Sequence, residues 1–408
     1  VQPRKQGISA RKLLFASGMG ILFDAMDVVL IGFIIAALFV AWHITPDQAG
    51  LLGSLTLVGM AIGSAAAGLF ADRVGRKRAF VITLLLYSAA SGLSALATGI
   101  GVLLVLRVVT GLGLGGELPV ATAYVLESSP PETRGRRTVW LESFWAFGSI
   151  VAALIGFLLI PLLSWRAAFA VTVLPALYIL YLRRTLPESR AFADLRQRYT
   201  VRQNILRIWQ SDQRQRTIVL WVLWFAANFA YYGLFTWLPS VMTHKGFSLV
   251  NSFAYVLIMA VAQVPGYFCA AWLVDKWGRK PTLIAFSLLS AASALLFGLS
   301  HDLAWLLVFG IVLNFSNLGA WGATYIYSAE QYPVPTRASG LGWAMGFGKV
   351  GGMVAPFLLG TLVAAHRSFG FIFGMFSIVT LISLIVVLLF GRDRRADEPD
   401  SRLSSQTA

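Results

Sequence analysis

Cysteine is almost missing from this chain. Cys269 is the only one in 408 residues, so no internal disulfide can form. Histidine is nearly as scarce, represented by His43, His244, His301 and His366 alone. Charged residues make up 12% against 57% hydrophobic, at a mean hydropathy of +0.73. An ordinary soluble domain carries about 25% charge, so that class is excluded. No nucleophile stands beside a base and no metal-ligand cluster is visible, so an enzyme, a cofactor or a metal centre is not expected.

What the chain has is length of apolar run. A spanning helix needs about 20 apolar residues. Twelve such stretches can be drawn, at roughly 16–41, 47–71, 79–98, 102–127, 138–163, 166–183, 217–242, 248–274, 281–300, 303–329, 338–364 and 368–390. The expected fold is therefore an all-α membrane protein of twelve transmembrane helices. A short basic stretch (Arg4, Lys5, Arg11, Lys12) leads straight into the first span, with no cleavable signal expected; the absent initiator Met suggests a processed or trimmed start. The formal charge of +15 invites a nucleic-acid reading, which its distribution rejects. With both termini on one side, all but five of the 33 Lys and Arg fall on that side. The five are Arg166, Lys245 and Arg367 in opposite loops, and Arg107 and Lys349 within spans. This is the positive-inside pattern, which makes both termini cytoplasmic.

The chain also contains itself twice, at an offset of 203 residues. Asp72-Arg73-Val74-Gly75-Arg76-Lys77 returns as Asp275-Lys276-Trp277-Gly278-Arg279-Lys280. Glu127, seven residues before Arg134, returns as Glu330, seven before Arg337. Two parallel six-helix halves with a site between them is the layout of a secondary transporter. The expected units are 1–185, an Arg-rich cytoplasmic linker with short amphipathic helices at 186–215, a second half at 216–391, and a polar tail at 392–408. Gly111-x-Gly113-x-x-Gly116 imitates a dinucleotide-binding pattern, but it lies midway along an apolar helix whose amides are already bonded. Glycine there, as in Gly59-x-x-x-Gly63, suits close helix packing.

Six ionisable residues fall inside spans: Asp24, Asp27, Arg107, Glu117, Glu142 and Lys349. Each costs roughly 2.5 kcal/mol or more at the bilayer centre unless paired or hydrated, so function is the default hypothesis. Asp27 and Arg107 are the natural pair, either a proton-binding acid gated by its arginine or a permanent structural ion pair. Asp24, one turn away, is a relay or a helix–helix hydrogen bond. Lys349 stands near the midplane in a half whose spans hold no acid near it. It reads as a clamp for an anion, against the alternatives of pairing across the cavity or snorkelling. Glu117 serves substrate or proton, or packs protonated. Glu142 is expected in the cytoplasmic charge network and not in the pocket. The histidines all sit at outward ends of odd-numbered spans, which leaves proton work to the acids.

Amides and aromatics share helical faces at mid-depth: Asn228, Tyr231, Tyr232 and Phe235 in the seventh span, and Asn314, Asn317, Trp321 and Tyr325 in the tenth. Gln263 pairs with Tyr267 in the eighth, and Trp145 follows Glu142 by three in the fifth. The combination suits a flat ring stacked between aromatic faces.

Gly68-x-x-x-Asp72-Arg73-x-Gly75-Arg76-Lys77-Arg78 resembles the loop 2–3 signature of the major facilitator superfamily, with Asp275 to Lys280 as its second copy. Arg107-x-x-x-Gly111-x-Gly113-x-Gly115 is similar to the fourth-helix motif, and Glu127 with Arg134-Gly135-Arg136-Arg137, then Pro187-Glu188-Ser189, to sugar-porter signatures. Three stretches resemble the bacterial niacin transporters: Leu22-Phe23-Asp24-Ala25-Met26-Asp27, Gly115-Gly116-Glu117-Leu118-Pro119 and Leu141-Glu142-Ser143-Phe144-Trp145. Aromatic-acid:proton symporters look like near relatives. In organic-anion members a basic residue, usually arginine, matches Lys349; lysine gives a point charge without the bidentate fork.

The resemblance implies a monomeric importer of nicotinate, possibly nicotinamide too, with a proton as co-substrate. Lys349 would hold the carboxylate, with Trp321, Tyr231, Tyr232 and Trp145 around the ring. Asn314, Asn317, Gln263 or Glu117 would address its nitrogen or amide, and Asn228 would line the pocket. Asp27, Arg107 and Asp24 would handle the proton. Asp72, Arg76, Glu127 and Arg134, with Asp275, Arg279, Glu330 and Arg337, would form the cytoplasmic gate. A benzoate-like acid is the nearest rival substrate; a sugar porter and a non-transporting receptor stand further off.

Overall fold

The computed structural model describes residues 10–74, 76–127, 134–178, 209, 211–332 and 334–392. Among these the ordered elements are helices, as lipid demands, because a helix satisfies its own backbone hydrogen bonds. The first half runs through α1 (Ala10–Ala41), α2 (Pro46–Val74), α3 (Arg76–Leu93), α4 (Ile100–Glu127), α5 (Arg134–Leu162) and α6 (Trp165–Val171), with helix resuming over 174–178. The second comprises α7 (Ser211–His244), α8 (Leu249–Val261), α9 (Gln263–Trp277), α10 (Arg279–Leu299), α11 (Leu303–Gln331), α12 (Val334–Ala364) and α13 (Phe369–Phe390). Among the described residues, nine stretches are long and apolar enough to cross a membrane. Most of the expected linker and the tail beyond Arg392 lie outside the described residues, and α7 begins at Ser211, inside the stretch assigned to the linker.

The eighth expected span is two helices. Pro265 lacks an N–H and its ring crowds the carbonyl four residues back, which belongs to Val261, the last residue of α8. The Ala262 N–H turns instead to Met259 O, at 3.2 Å.

The 203-residue repeat extends to backbone detail. His43 after α1 and Gly246 after α7 both adopt positive φ, at 51° and 99°. Two residues on, Thr45 Oγ1 accepts from Gln48 N at the start of α2, as Ser248 Oγ accepts from Asn251 N at the start of α8. Gly63 and Gly266 press against backbone in the same way. A Cβ on Gly63 would lie 2.2 Å from Leu112 O, and one on Gly266 2.1 Å from Phe315 O. Gly111 and Gly115 meet α2 at Thr56 O and Met60 O, while Gly113 meets α3 at Thr83 O. The fourth-helix glycine run is therefore a packing surface.

Within the first half α1 packs on α5, and α4 on α2 and α3; within the second α7 packs on α12, and α11 on α9 and α10. Between the halves, α1 meets α7, α2 meets α12, and α5 meets α8, α9 and α11. At the histidine-bearing end this seam is tight. A Cβ on Gly360 would lie 2.5 Å from Pro46 O, on Gly50 2.9 Å from Pro356 O, and on Gly32 2.6 Å from Thr236 O. Phe39 packs against Trp237 and His244, and Phe33 against Phe253, with ring centroids 5.1–6.1 Å apart.

Two of the rare cations at this end cap helices. Arg166 Nη1 donates to Ala95 O and Ala97 O at 2.7 and 2.8 Å. Lys245 Nζ donates to Ser300 O at 2.6 Å beyond α10, and partial burial holds its pKa below the ordinary lysine value.

Gly360→Leu should force this seam apart. Spin labels at the exposed Asp47 and His366 should then report a distance several ångströms longer than in the parent protein. An unchanged distribution would mean that closure does not depend on glycine.

Candidate functional site

Two charged constellations lie inside the bundle. In the first, Asp27 on α1 and Arg107 on α4 form an ion pair at 3.2 Å, with Asp27 only 2% exposed and Arg107 fully buried. Ser91 on α3 donates its hydroxyl to Asp27 Oδ1. Arg107 Nη2 donates to Ser91, Ser94 and Thr110 at 3.0–3.1 Å. The guanidinium carbon lies 4.7 Å from the centre of the Phe169 ring on α6. The expected pair is thus present, wrapped by three hydroxyls and a ring that sequence reasoning missed. Ser91, Ser94 and Thr110 carry no signal of their own, since hydroxyls usually bond the preceding helical turn, as Thr110 also does to Leu106 O.

The second constellation lies where the halves meet. Trp145 Nε1 on α5 donates to the Tyr231 hydroxyl on α7 at 2.6 Å. The Tyr231 ring is 5.5 Å from Trp321 on α11, 5.3 Å from Tyr232 and 4.8 Å from Phe235. Lys349 on α12 holds its ammonium 5.6 Å from the centre of the Tyr232 ring. Two acids of the first half, Asp24 and Glu142, lie within electrostatic range of that ammonium. Lys349 therefore has acids of the opposite half within electrostatic range, and none of its own half among the described residues.

Glu142 needs correcting. It was expected in the cytoplasmic charge network, yet it is 5% exposed and its electrostatic neighbours are Lys349, Tyr232, Tyr267 and Tyr325. The physical reason is helical register. Glu142 stands one turn before Trp145 on α5, so it shares the face that meets the other half. Trp140, at the start of the same stretch, already touches Phe268 of α9 at 5.3 Å.

The amides are occupied. Asn228 Nδ2 donates to Trp224 O at 2.8 Å, and Asn317 Nδ2 to Ser290 Oγ at 3.2 Å. Asn314 Nδ2 donates to Gly310 O, and its Oδ1 accepts from Gln263 Nε2 at 2.8 Å. Asn317 and Trp321 border a small cavity inside the second half, beside Ser287, Ser290 and Thr324. Of the expected gate, Arg279 Nε bonds Glu330 Oε1 at 3.0 Å. That joins the second signature loop to the end of α11. The side chains of Asp72, Arg76, Glu117, Glu127, Arg134 and Arg337 lie outside the described residues.

A family model described as Major Facilitator Superfamily matches residues 18–266 and 254–407. The chain belongs to the major facilitator superfamily. It is a multi-pass membrane protein of that transporter family. A Bacillus subtilis (strain 168) member, named provisionally as a niacin/nicotinamide transporter, is 48% identical over 97% of this chain and 99% of its own length. The niacin transporter of Acinetobacter baylyi is 40% identical over 95% of each chain, and the benzoate transport protein of the same organism is 26% identical. Among solved structures, a partially occluded inward-open xylose transporter from E. coli superposes at a TM-score of 0.77, with 17% identity over 96% of this chain and 99% of that one. The D-xylose-proton symporter gives 0.76 at 19% identity over 94% and 99%. These likenesses establish the fold.

Replacing Arg107 alone by leucine should leave Asp27 buried without its cation and destabilise the protein by about 3–5 kcal/mol. Thermal unfolding in detergent should show a clear fall in Tm. The double variant Asp27→Asn, Arg107→Gln should recover part of it; no difference between the two would deny the pair a structural share.

Proposed function

We propose that the chain is a secondary transporter that imports nicotinate, and nicotinamide with it, across a bacterial inner membrane by alternating access, coupled to protons. It acts as a monomer with both termini cytoplasmic. The halves 1–185 and 216–391 rock about the central site, joined by the linker 186–215, with 392–408 as a tail. The observation that carries this reading is Lys349, one ammonium beside a cage of Tyr231, Tyr232, Trp321 and Trp145 that draws on both halves. Rings give a flat aromatic substrate its faces, and the ammonium gives its carboxylate a counter-ion. The names of two relatives that align with nearly the whole chain support the substrate.

Asp27 takes the coupling proton. It is ion-paired with Arg107 and accepts from Ser91, the contacts that movement between α1, α3 and α4 would change. Asp24 lies between this pair and Lys349 in function, linking the proton site to the substrate site. Glu117 is assigned to the substrate or the proton. Among the amides, Gln263 Oε1 is the acceptor left for substrate, because the nitrogen of that side chain is committed to Asn314. Asp72, Arg76, Glu127 and Arg134, with Asp275, Arg279, Glu330 and Arg337, form the cytoplasmic lock that opens when the halves rock inward. The glycine-tightened seam is then the outer door.

Proteoliposomes should accumulate labelled nicotinate when an inward pH gradient is imposed, and far less without one. Lys349→Ala should weaken nicotinate at least tenfold while changing nicotinamide much less. Binding without uptake would overturn the transporter, uptake indifferent to pH would overturn coupling, and equal losses for acid and amide would overturn the clamp. Stronger competition by benzoate than by nicotinamide would move the substrate to benzoate-like acids.

A further inference from the structure

Glu142 is the buried acid that the mechanism above leaves without a task. Its Oε1 has no hydrogen-bond partner, and its side chain is shut between the halves by two contacts of the same helix. Trp140 against Phe268 lies on one side and Trp145 against Tyr231 on the other. The titratable and charged groups around it come from several elements. Asp24 lies on α1, Tyr231 and Tyr232 on α7, Tyr267 on α9, Tyr325 on α11 and Lys349 on α12. Among these, the only cation is Lys349. On α4, Arg107 is taken by Asp27, and the Glu117 side chain lies outside the described residues. On α8, Tyr255 is the one titratable side chain; on α6, Arg166 is bonded to carbonyls at the far end.

Among the described residues the central site then holds Asp24, Glu142 and Lys349, two acids against one ammonium. An anionic substrate on Lys349 adds a third negative charge and takes the ammonium from Glu142. A carboxylate at that depth, with Oε1 lacking a hydrogen bond and its cation taken by substrate, carries a large desolvation cost. A proton from the cytoplasmic or external solution restores the net charge that the site has without substrate. A neutral substrate makes no such demand.

We propose that Glu142 is a second, substrate-linked proton site, which takes up one proton when an anionic substrate occupies Lys349 and none when the substrate is uncharged. It deepens the nicotinate and nicotinamide reading above and rests on it. The proton stoichiometry then differs by one between the acid and the amide of the same ring. Because protons are taken up on binding, nicotinate affinity falls as pH rises. The fall is roughly tenfold per pH unit across the window in which Glu142 is ionised when empty and protonated when filled.

Isothermal titration calorimetry of the full-length protein in detergent, in buffers of different ionisation enthalpy, counts protons bound per ligand. The parent protein should take up about one more proton with nicotinate than with nicotinamide. Glu142→Gln should abolish that difference and flatten the pH dependence of nicotinate binding, whereas Glu142→Asp should restore both. Equal proton counts for the two ligands in the parent protein would overturn the proposal without any variant. So would a Glu142→Gln protein that keeps the parent slope, or a slope lost only in Asp24→Asn. If the parent bound neither ligand, the substrate reading would fail instead.

Discussion

In lipid, a charge persists only where another charge or a dipole answers it, and this protein has split question and answer between its halves. Asp27 and Arg107 settle their account within the first half, with Ser91, Ser94, Thr110 and Phe169 completing the shell. Lys349 does not. Its answering acids, Asp24 and Glu142, stand on helices of the opposite half. The seam between the halves is therefore electrostatic at its centre, and whatever parts it must bring another anion or water to the ammonium. On the proposed function, substrate binding and rocking become one event because the same lysine serves both.

Much of the fold was legible in the sequence because hydrophobic length, basic loops and a duplicated signature each report a bulk property of the membrane. The Asp27–Arg107 pair was legible for a related reason, since two opposite charges in spans have few other places to go. Glu142 was misplaced because position along a helix was weighed more than face around it. Its spacing of three from Trp145 was the available signal. The division of the eighth span was also written in advance, in Pro265, but a continuous apolar run hid it.

The amide-rich faces show what composition leaves open. Asn228, Asn314, Asn317 and Gln263 have the right depth and spacing for a binding site, yet their nitrogens are committed to Trp224 O, Gly310 O, Ser290 Oγ and Asn314 Oδ1. Which partner an amide finds depends on packing between helices, and one helix's periodicity carries no record of that. On the proposed function, rings, charges and Gln263 Oε1 are left to define the central site, so its selectivity rests on the shape of a plane and the polarity at its edge.

The joints made by Gly63 on Leu112 and by Gly266 on Phe315 set backbone directly against backbone. Such a joint contains no side chain to rotate and so no soft degree of freedom. Each half thereby locks the helix before its signature loop, α2 or α9, to α4 or α11 with no side chain between their backbones. On the proposed function the two halves then work as levers, and the ionic events near the midplane need move only the fulcrum between them.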